Sequence, residues 1–324
     1  MADTAERIRD ELIDSITDHF GMHITAATPI DLGFLNLKWK LESDQGSLFV
    51  KQYSKVRYPE QLVDGLEISL AHQHKLYQQG IPVPRLFSHQ GKYVLRSASQ
   101  ERYVLTDLCN GRSIAPGSAS EQQMYELGTV VGQMHMLLNT DVPPLPLHWD
   151  IRTKEAMLKH WEKRYRQAAA RQCADTIAAL EIQRRIIDET DTAIFAGCER
   201  GWGHWDLFVD NILFDEDTVA AILDFDRLHF VYPELDVSRA ILSCALSGGL
   251  IRLGQVRAFV SGYRRYSPLS AEKLIRSIKL TWWREAEWIA VAEKDEYTPL
   301  IRFREENNWV AAHWDHLDEL FAGI

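Results

Sequence analysis

Asp206, Asn211 and Asp224 are the residues of this 324-residue chain whose types and spacing carry the clearest chemistry. They stand in His204-Trp-Asp206-Leu-Phe-Val-Asp-Asn211-Ile-Leu-Phe and, after a short turn, in Val219-Ala-Ala-Ile-Leu-Asp224-Phe-Asp226. A carboxylate, a carboxamide five residues on and a second carboxylate eighteen past the first form the polar skeleton of phosphoryl transfer. In that chemistry one carboxylate accepts the proton of an attacking hydroxyl. The amide oxygen and the second carboxylate hold magnesium (Mg2+), a hard ion that takes oxygen ligands. Singly, Asp and Asn are turn and cap residues; the combination between apolar runs points to function. Ile212–Phe214 and Val219–Leu223 flank an Asp-Glu-Asp turn and read as a hairpin, which would bring Asp224 back towards Asp206 and Asn211.

The elements that must position these groups follow from periodicity. Ile8, Leu12, Ile13, Ile16 and Phe20 recur at helical spacing and Gly21 follows them. Leu37–Leu41 alternates apolar and polar, Ser43–Gly46 turns the chain, and Ser47–Tyr53 resumes as a strand. Residues 60–79 read as a helix, Lys92–Leu95 and Arg102–Thr106 as short strands, and Gly111–Ser120 as a hinge loop. Beyond it, 121–138 reads as a helix, 152–195 as two, and the chain from about 236 onward as helical. The pattern predicts an α+β architecture: a small N-lobe of helix plus antiparallel sheet over 1–110, and a larger, mainly helical C-lobe over 111–324.

Composition narrows the class. Apolar residues make 46% and charged residues 25%, the balance of an ordinary globular chain and not of a disordered one. The length gives a prior of roughly two domains. No run of apolar residues is long enough to cross a bilayer, and the acidic, amphipathic N-terminus is unlike a signal peptide, so a cytoplasmic address is expected. A net charge of −10 argues against nucleic acid or an anionic membrane as partner. Cys109, Cys173, Cys198 and Cys244 contain no Cys-x-x-Cys pair and read as reduced thiols.

The run His204–Phe214 with Asp224 resembles the catalytic motif of the aminoglycoside phosphotransferase and choline kinase superfamily, and its wording is most similar to the bacterial homoserine kinases. Trp205 stands where that family carries a small residue. The resemblance implies a protein-kinase-like two-lobed fold and an ATP- and magnesium-dependent kinase acting on a hydroxyl of a small molecule. Asp206 would then be the catalytic carboxylate and Asn211 and Asp224 the metal ligands. In the N-lobe, Gly33 and Asn36 fall where the superfamily covers the nucleotide phosphates, and Lys51 matches its phosphate-pairing strand lysine. Glu67 is the candidate partner of Lys51, with Glu60 as competitor, and Asp107, Leu108 and Cys109 would offer backbone contacts to adenine.

Other residues read more plainly. His204 is expected to bond loop backbone and orient Asp206, His135 to be a satisfied core histidine, and His72 and His74 to lie on a helix surface. Trp282, Trp283 and Trp288 are core in the bland reading; interleaved with Glu285 and Glu287, they would in the sharper one suit a cationic amine. Two rivals share the fold: a nucleotide-binding pseudokinase, against which Lys51, Asp206, Asn211 and Asp224 are all present, and a protein serine/threonine kinase. The latter lacks support, since neither Asp-Phe-Gly nor Ala-Pro-Glu follows Asp224.

Overall fold

Residues 2–30, 36–286 and 298–324 are described by the computed structural model. The chain divides into two compact units, Met1–Gly111 with Ala220–Arg227, and Arg112–Val219 with Leu228–Ile324.

The first unit is built on strands β1 (Ile24–Pro29), β2 (Lys38–Ser43), β3 (Gly46–Tyr53), β4 (Leu95–Arg96) and β5 (Arg102–Asp107). They form an antiparallel sheet in the order β1-β2-β3-β5-β4. Two helices, α1 (Ala2–Phe20) and α2 (Val63–Gln78), complete it. Side chains alternate across a strand, so β3 serves two cores. Leu48 and Val50 pack with Ile8, Leu12 and Ile16 of α1 and with Trp39, Leu41 and Leu105. Tyr53, on the other face, packs with Leu66 and Leu70 of α2 and with Val104. Lys51 shares the face of Tyr53, which places a cation beneath α2. The segment Ala220–Arg227 joins this unit through the Ile222 N–H, which donates to Pro82 O at 2.8 Å, and through a 3-10 turn, Phe225–Arg227, packed on α2.

In the second unit α3 (Glu121–Asn139) opens on a capping box, with Ser120 and Gln123 satisfying each other's backbone N–H groups. Helices α4 (Lys154–Ala170) and α5 (Ala174–Glu189) follow, and two strand pairs flank the segment that carries Asp206 and Asn211: β6 (Gly201–Gly203) with β9 (His229–Val231), and β7 (Ile212–Asp215) with β8 (Thr218–Ile222). Then come α6 (Glu234–Ala245), a small hairpin of β10 (Leu246–Ser247) and β11 (Leu250–Ile251), α7 (Leu253–Tyr263), α8 (Ala271–Glu285), α9 (Thr298–His313) and α10 (Leu317–Leu320). Helices α3 and α7 approach closely because glycine faces backbone: a Cβ on Gly128 would lie 2.0 Å from Phe259 O, and one on Gly262 2.0 Å from Tyr125 O.

Among the described residues no helix is long and apolar enough to cross a membrane. All four cysteines are free, and burial pushes the Cys109 thiol up to about 11 and those of Cys198 and Cys244 up to about 12.

Candidate active site

The loop carrying Asp206 leaves β6 and is fixed from beneath by α6. The buried carboxylate of Asp236 accepts the N–H of His204 at 2.6 Å and of Trp205 at 2.8 Å, and lies 3.1 Å from His135 Nε2. Burial alone would raise the Asp236 pKa, but the His135 hydrogen bond and nearby positive charge carry it below the usual aspartate range. His135 is completed by the Tyr263 hydroxyl at 2.9 Å. Gly203 fits closely here, since a Cβ would lie 3.0 Å from Asp236 Oδ2. Asn139 holds the preceding strand, accepting the Trp202 N–H at 2.6 Å and donating to Trp202 O at 3.0 Å.

Pinned in this way, the loop carries a bulky residue in the left-handed region: Trp205 has φ +60°. Such a conformation costs energy and persists only where surrounding bonds over-determine it. Arg239 adds to the restraint, donating to Trp205 O at 2.6 Å and pairing with Glu285. The next residue, Asp206, donates its N–H to His204 Nδ1 at 3.3 Å. Asn211 Nδ2 donates to Asp206 O at 2.8 Å and lies 3.3 Å from Asp206 Oδ2. The nitrogen end of Asn211 is thus tied to Asp206, which directs its amide oxygen elsewhere.

Beside this loop the Trp205 ring meets His148 and His229 edge-on, at centroid distances of 4.8 and 5.6 Å. The Arg284 guanidinium stands 5.4 Å from the ring centres of both Trp205 and Trp149. At the far end of the loop Arg302 pairs with Asp210 and lies 3.3 Å from the buried Glu306. Burial pushes the Glu306 pKa up to about 8, Glu285 and Asp210 adding to the effect against Arg302. A carboxyl with a raised folded pKa stabilises the fold fully below its unfolded value of 4.5, and this contribution is lost as pH rises towards about 8. The melting temperature is therefore expected to fall between pH 6 and 8.5 by ~3 °C more in the wild type than in Glu306→Gln, as read by calorimetry.

In the N-terminal unit Lys51 is buried and donates to Asp224 Oδ1 at 2.9 Å and to Asp226 Oδ2 at 2.8 Å. Burial pulls its pKa down, but the two carboxylates more than reverse this, leaving it above the usual lysine range. Asp224, like Trp205, is left-handed, with φ +61°. Its side chain is 37% exposed against 5% for Asp226, so the two carboxylates differ in access although both hold the same lysine.

Several expected roles change. Glu67 does not pair with Lys51: its carboxylate accepts the N–H groups of Tyr93 at 3.1 Å and Val94 at 2.9 Å. Glu60 is also engaged elsewhere, by Arg96 and Arg102. Of the backbone groups proposed for adenine, two N–H groups are committed to internal bonds: Asp107 N–H donates to Arg85 O at 3.1 Å and Leu108 N–H to Ser47 O at 3.0 Å. Cys109 follows them in the same segment. Asn36 accepts the Ser54 N–H at 3.2 Å, tying its loop to the end of β3. Gly33, Glu287 and Trp288 lie outside the described residues. Trp282 and Trp283 are fully buried core, and Glu285 is taken by Arg239, so the amine-binding arrangement of Trp and Glu is not formed by these three. His72 and His74 are half-buried, the latter against Tyr93.

Comparison with known proteins gives a consistent picture. A family model described as "Phosphotransferase enzyme family" matches residues 26–269. The chain is 27% identical over 203 residues to a homoserine kinase of Methylobacillus glycogenes, covering 61% of this chain and 59% of that one. It is 25% identical over 328 residues to a homoserine kinase of Rhizobium meliloti (strain 1021), covering 94% of each. Among solved structures, spectinomycin phosphotransferase in complex with ADP and spectinomycin superposes with a TM-score of 0.64 at 15% identity, over 95% of this chain and 98% of that one. A microcompartment-associated aminopropanol kinase gives a TM-score of 0.64 at 18% identity over the same shares. The fold is kinase-like, as the resemblance implied, and α+β, as the sequence pattern implied.

Proposed function

The chain belongs to the phosphotransferase enzyme family, and from that premise we propose that it is a small-molecule kinase transferring the γ-phosphate of ATP to the hydroxyl of a small amino acid such as homoserine. The observation that carries this reading is that Lys51, Asp206, Asn211 and Asp224 are all present, each held by specific hydrogen bonds.

Lys51 pairs with the nucleotide phosphates, neutralising charge that would repel an incoming oxygen. Asp206 orients the acceptor hydroxyl and takes its proton as the new bond forms; an ionised carboxylate is a weak base, so the transfer comes late. The rigid loop beneath Asp206 keeps that carboxylate in place without reorganisation. Asn211 and Asp224 supply oxygen donors of the kind magnesium prefers. Bound there, magnesium would spread the charge of the transferred phosphoryl group. The homoserine kinases supply the acceptor class, and Arg284, stacked on Trp205 beside the catalytic loop, supplies a cation suited to an amino acid's carboxylate. A cytoplasmic location follows from ATP as donor.

The test is ADP release in the presence of magnesium, ATP and either homoserine or its decarboxylated analogue 3-aminopropanol. Homoserine is expected to stimulate release strongly and 3-aminopropanol weakly; the reverse order would overturn the amino-acid assignment.

A further inference from the structure

We propose that Asp226, and not a helix glutamate, positions Lys51 for the nucleotide phosphates, and that Tyr53 and Tyr58 lock Asp226 in that task. The inference rests on the phosphotransferase reading and assigns to it a residue that the sequence left without a role.

Three donors converge on the Asp226 carboxylate. The Tyr53 hydroxyl donates to Oδ1 at 2.8 Å, the Tyr58 hydroxyl to Oδ2 at 3.0 Å, and Lys51 Nζ to Oδ2 at 2.8 Å. Both oxygens are thereby occupied inside a sealed site. The two tyrosine rings pack edge to face at 5.0 Å, and Lys51 Nζ stands 5.3 Å from the centre of the Tyr53 ring. Tyr53 follows Lys51 by two positions on β3 and therefore shares its face. A carboxylate so enclosed is a poor ligand for a hard cation, which needs accessible oxygen and keeps part of its water.

Asp224 is its opposite, 37% exposed and bonded to Lys51 through Oδ1. The two aspartates thus divide the work: Asp226 anchors the lysine and Asp224 faces outward. An ammonium has three donors, and among the described residues these two carboxylates take two of them; the third is assigned to a phosphate oxygen. Glu67, which would otherwise be the anchor, is bound to peptide N–H groups of residues 93 and 94.

The experiment measures ADP affinity by calorimetry in EDTA, alongside melting temperature, for the wild type, Asp226→Asn, the Tyr53→Phe/Tyr58→Phe pair and Glu67→Gln. Asp226→Asn is expected to weaken ADP at least ~10-fold, the worth of one charge-assisted bond, and the tyrosine pair to weaken it about 3-fold. Glu67→Gln is expected to leave it within about 2-fold while lowering the melting temperature. In turnover assays Asp226→Asn should raise the KM for ATP, leave the KM for acceptor unchanged and retain the wild-type magnesium midpoint. Should Asp226→Asn fail to fold, the Tyr53→Phe/Tyr58→Phe pair reads the proposal through its smaller, about 3-fold loss. Wild-type affinity in the Asp226 and tyrosine variants, or a loss confined to Glu67→Gln, would overturn the proposal. A shifted magnesium midpoint in Asp226→Asn would make Asp226 a metal ligand and also overturn it. A wild-type protein that binds no ADP would instead remove the phosphotransferase reading itself, and this proposal with it.

Discussion

Asp206→Asn is expected to lower kcat by at least ~10^3-fold, the range of a positioned general base, while ADP affinity and melting temperature stay close to wild type. The substitution keeps the shape of the side chain and removes its ability to take a proton. The backbone restraints remain: Asp206 N–H still donates to His204 Nδ1, and Asp206 O still accepts from Asn211 Nδ2 at 2.8 Å. The contact from Asn211 to the carboxylate, at 3.3 Å, is a long one. Nucleotide affinity is spared because the phosphate contact proposed above belongs to Lys51 and not to Asp206. A variant that retained near-normal turnover would move the base elsewhere; a variant that lost ADP affinity equally would make Asp206 a binding residue.

Asp236→Asn is expected to act through the fold instead. One buried carboxylate receives the N–H groups of His204 and Trp205 and faces His135 Nε2. An amide in its place points an NH2 at one of these donors and leaves a buried polar group unmatched, at a cost of ~3 kcal/mol. For a chain of this size that lowers the melting temperature by ~4 °C. The same change releases the left-handed Trp205 from its restraint, so kcat should fall with it. The two effects separate this variant from Asp206→Asn, which keeps its stability. An Asp236→Asn protein as stable and as active as wild type would show that the loop is held by Arg239 and His204 alone.

Local pattern made much of this legible. The alternation over Ser47–Tyr53 marks β3 and puts Lys51 on one face of it, and the stripe of Met124, Leu127, Val131, Met134 and Leu138 marks α3. The spacing of Asp206, Asn211 and Asp224 shows the polar skeleton without a fold in view. The anchors were not legible in the same way, because each acts across a long stretch of chain. Asp226 reaches Tyr53 across 173 residues and Asp236 reaches His135 across 101. No periodicity records such pairs, and a glutamate at helical distance from Lys51 is the obvious partner until Glu67 is seen capping the N–H groups of residues 93 and 94. Strand β1 escaped for a different reason: Ile24–Pro29 is exposed or half-buried throughout, so it has no apolar alternation to read. Strands β6 and β9 are three residues each, shorter than any pattern can mark.

The central claim, transfer of phosphate to a small hydroxylated acceptor, is tested most directly by mass spectrometry of acceptors incubated with ATP and magnesium. Homoserine, threonine, amino alcohols and aminoglycosides would be run with wild-type protein and with Asp206→Asn. The account predicts that homoserine gains one phosphate in equimolar amount with ADP formed, in the wild type only. Tight nucleotide binding with no phosphorylated acceptor, or equal product from Asp206→Asn, would contradict it.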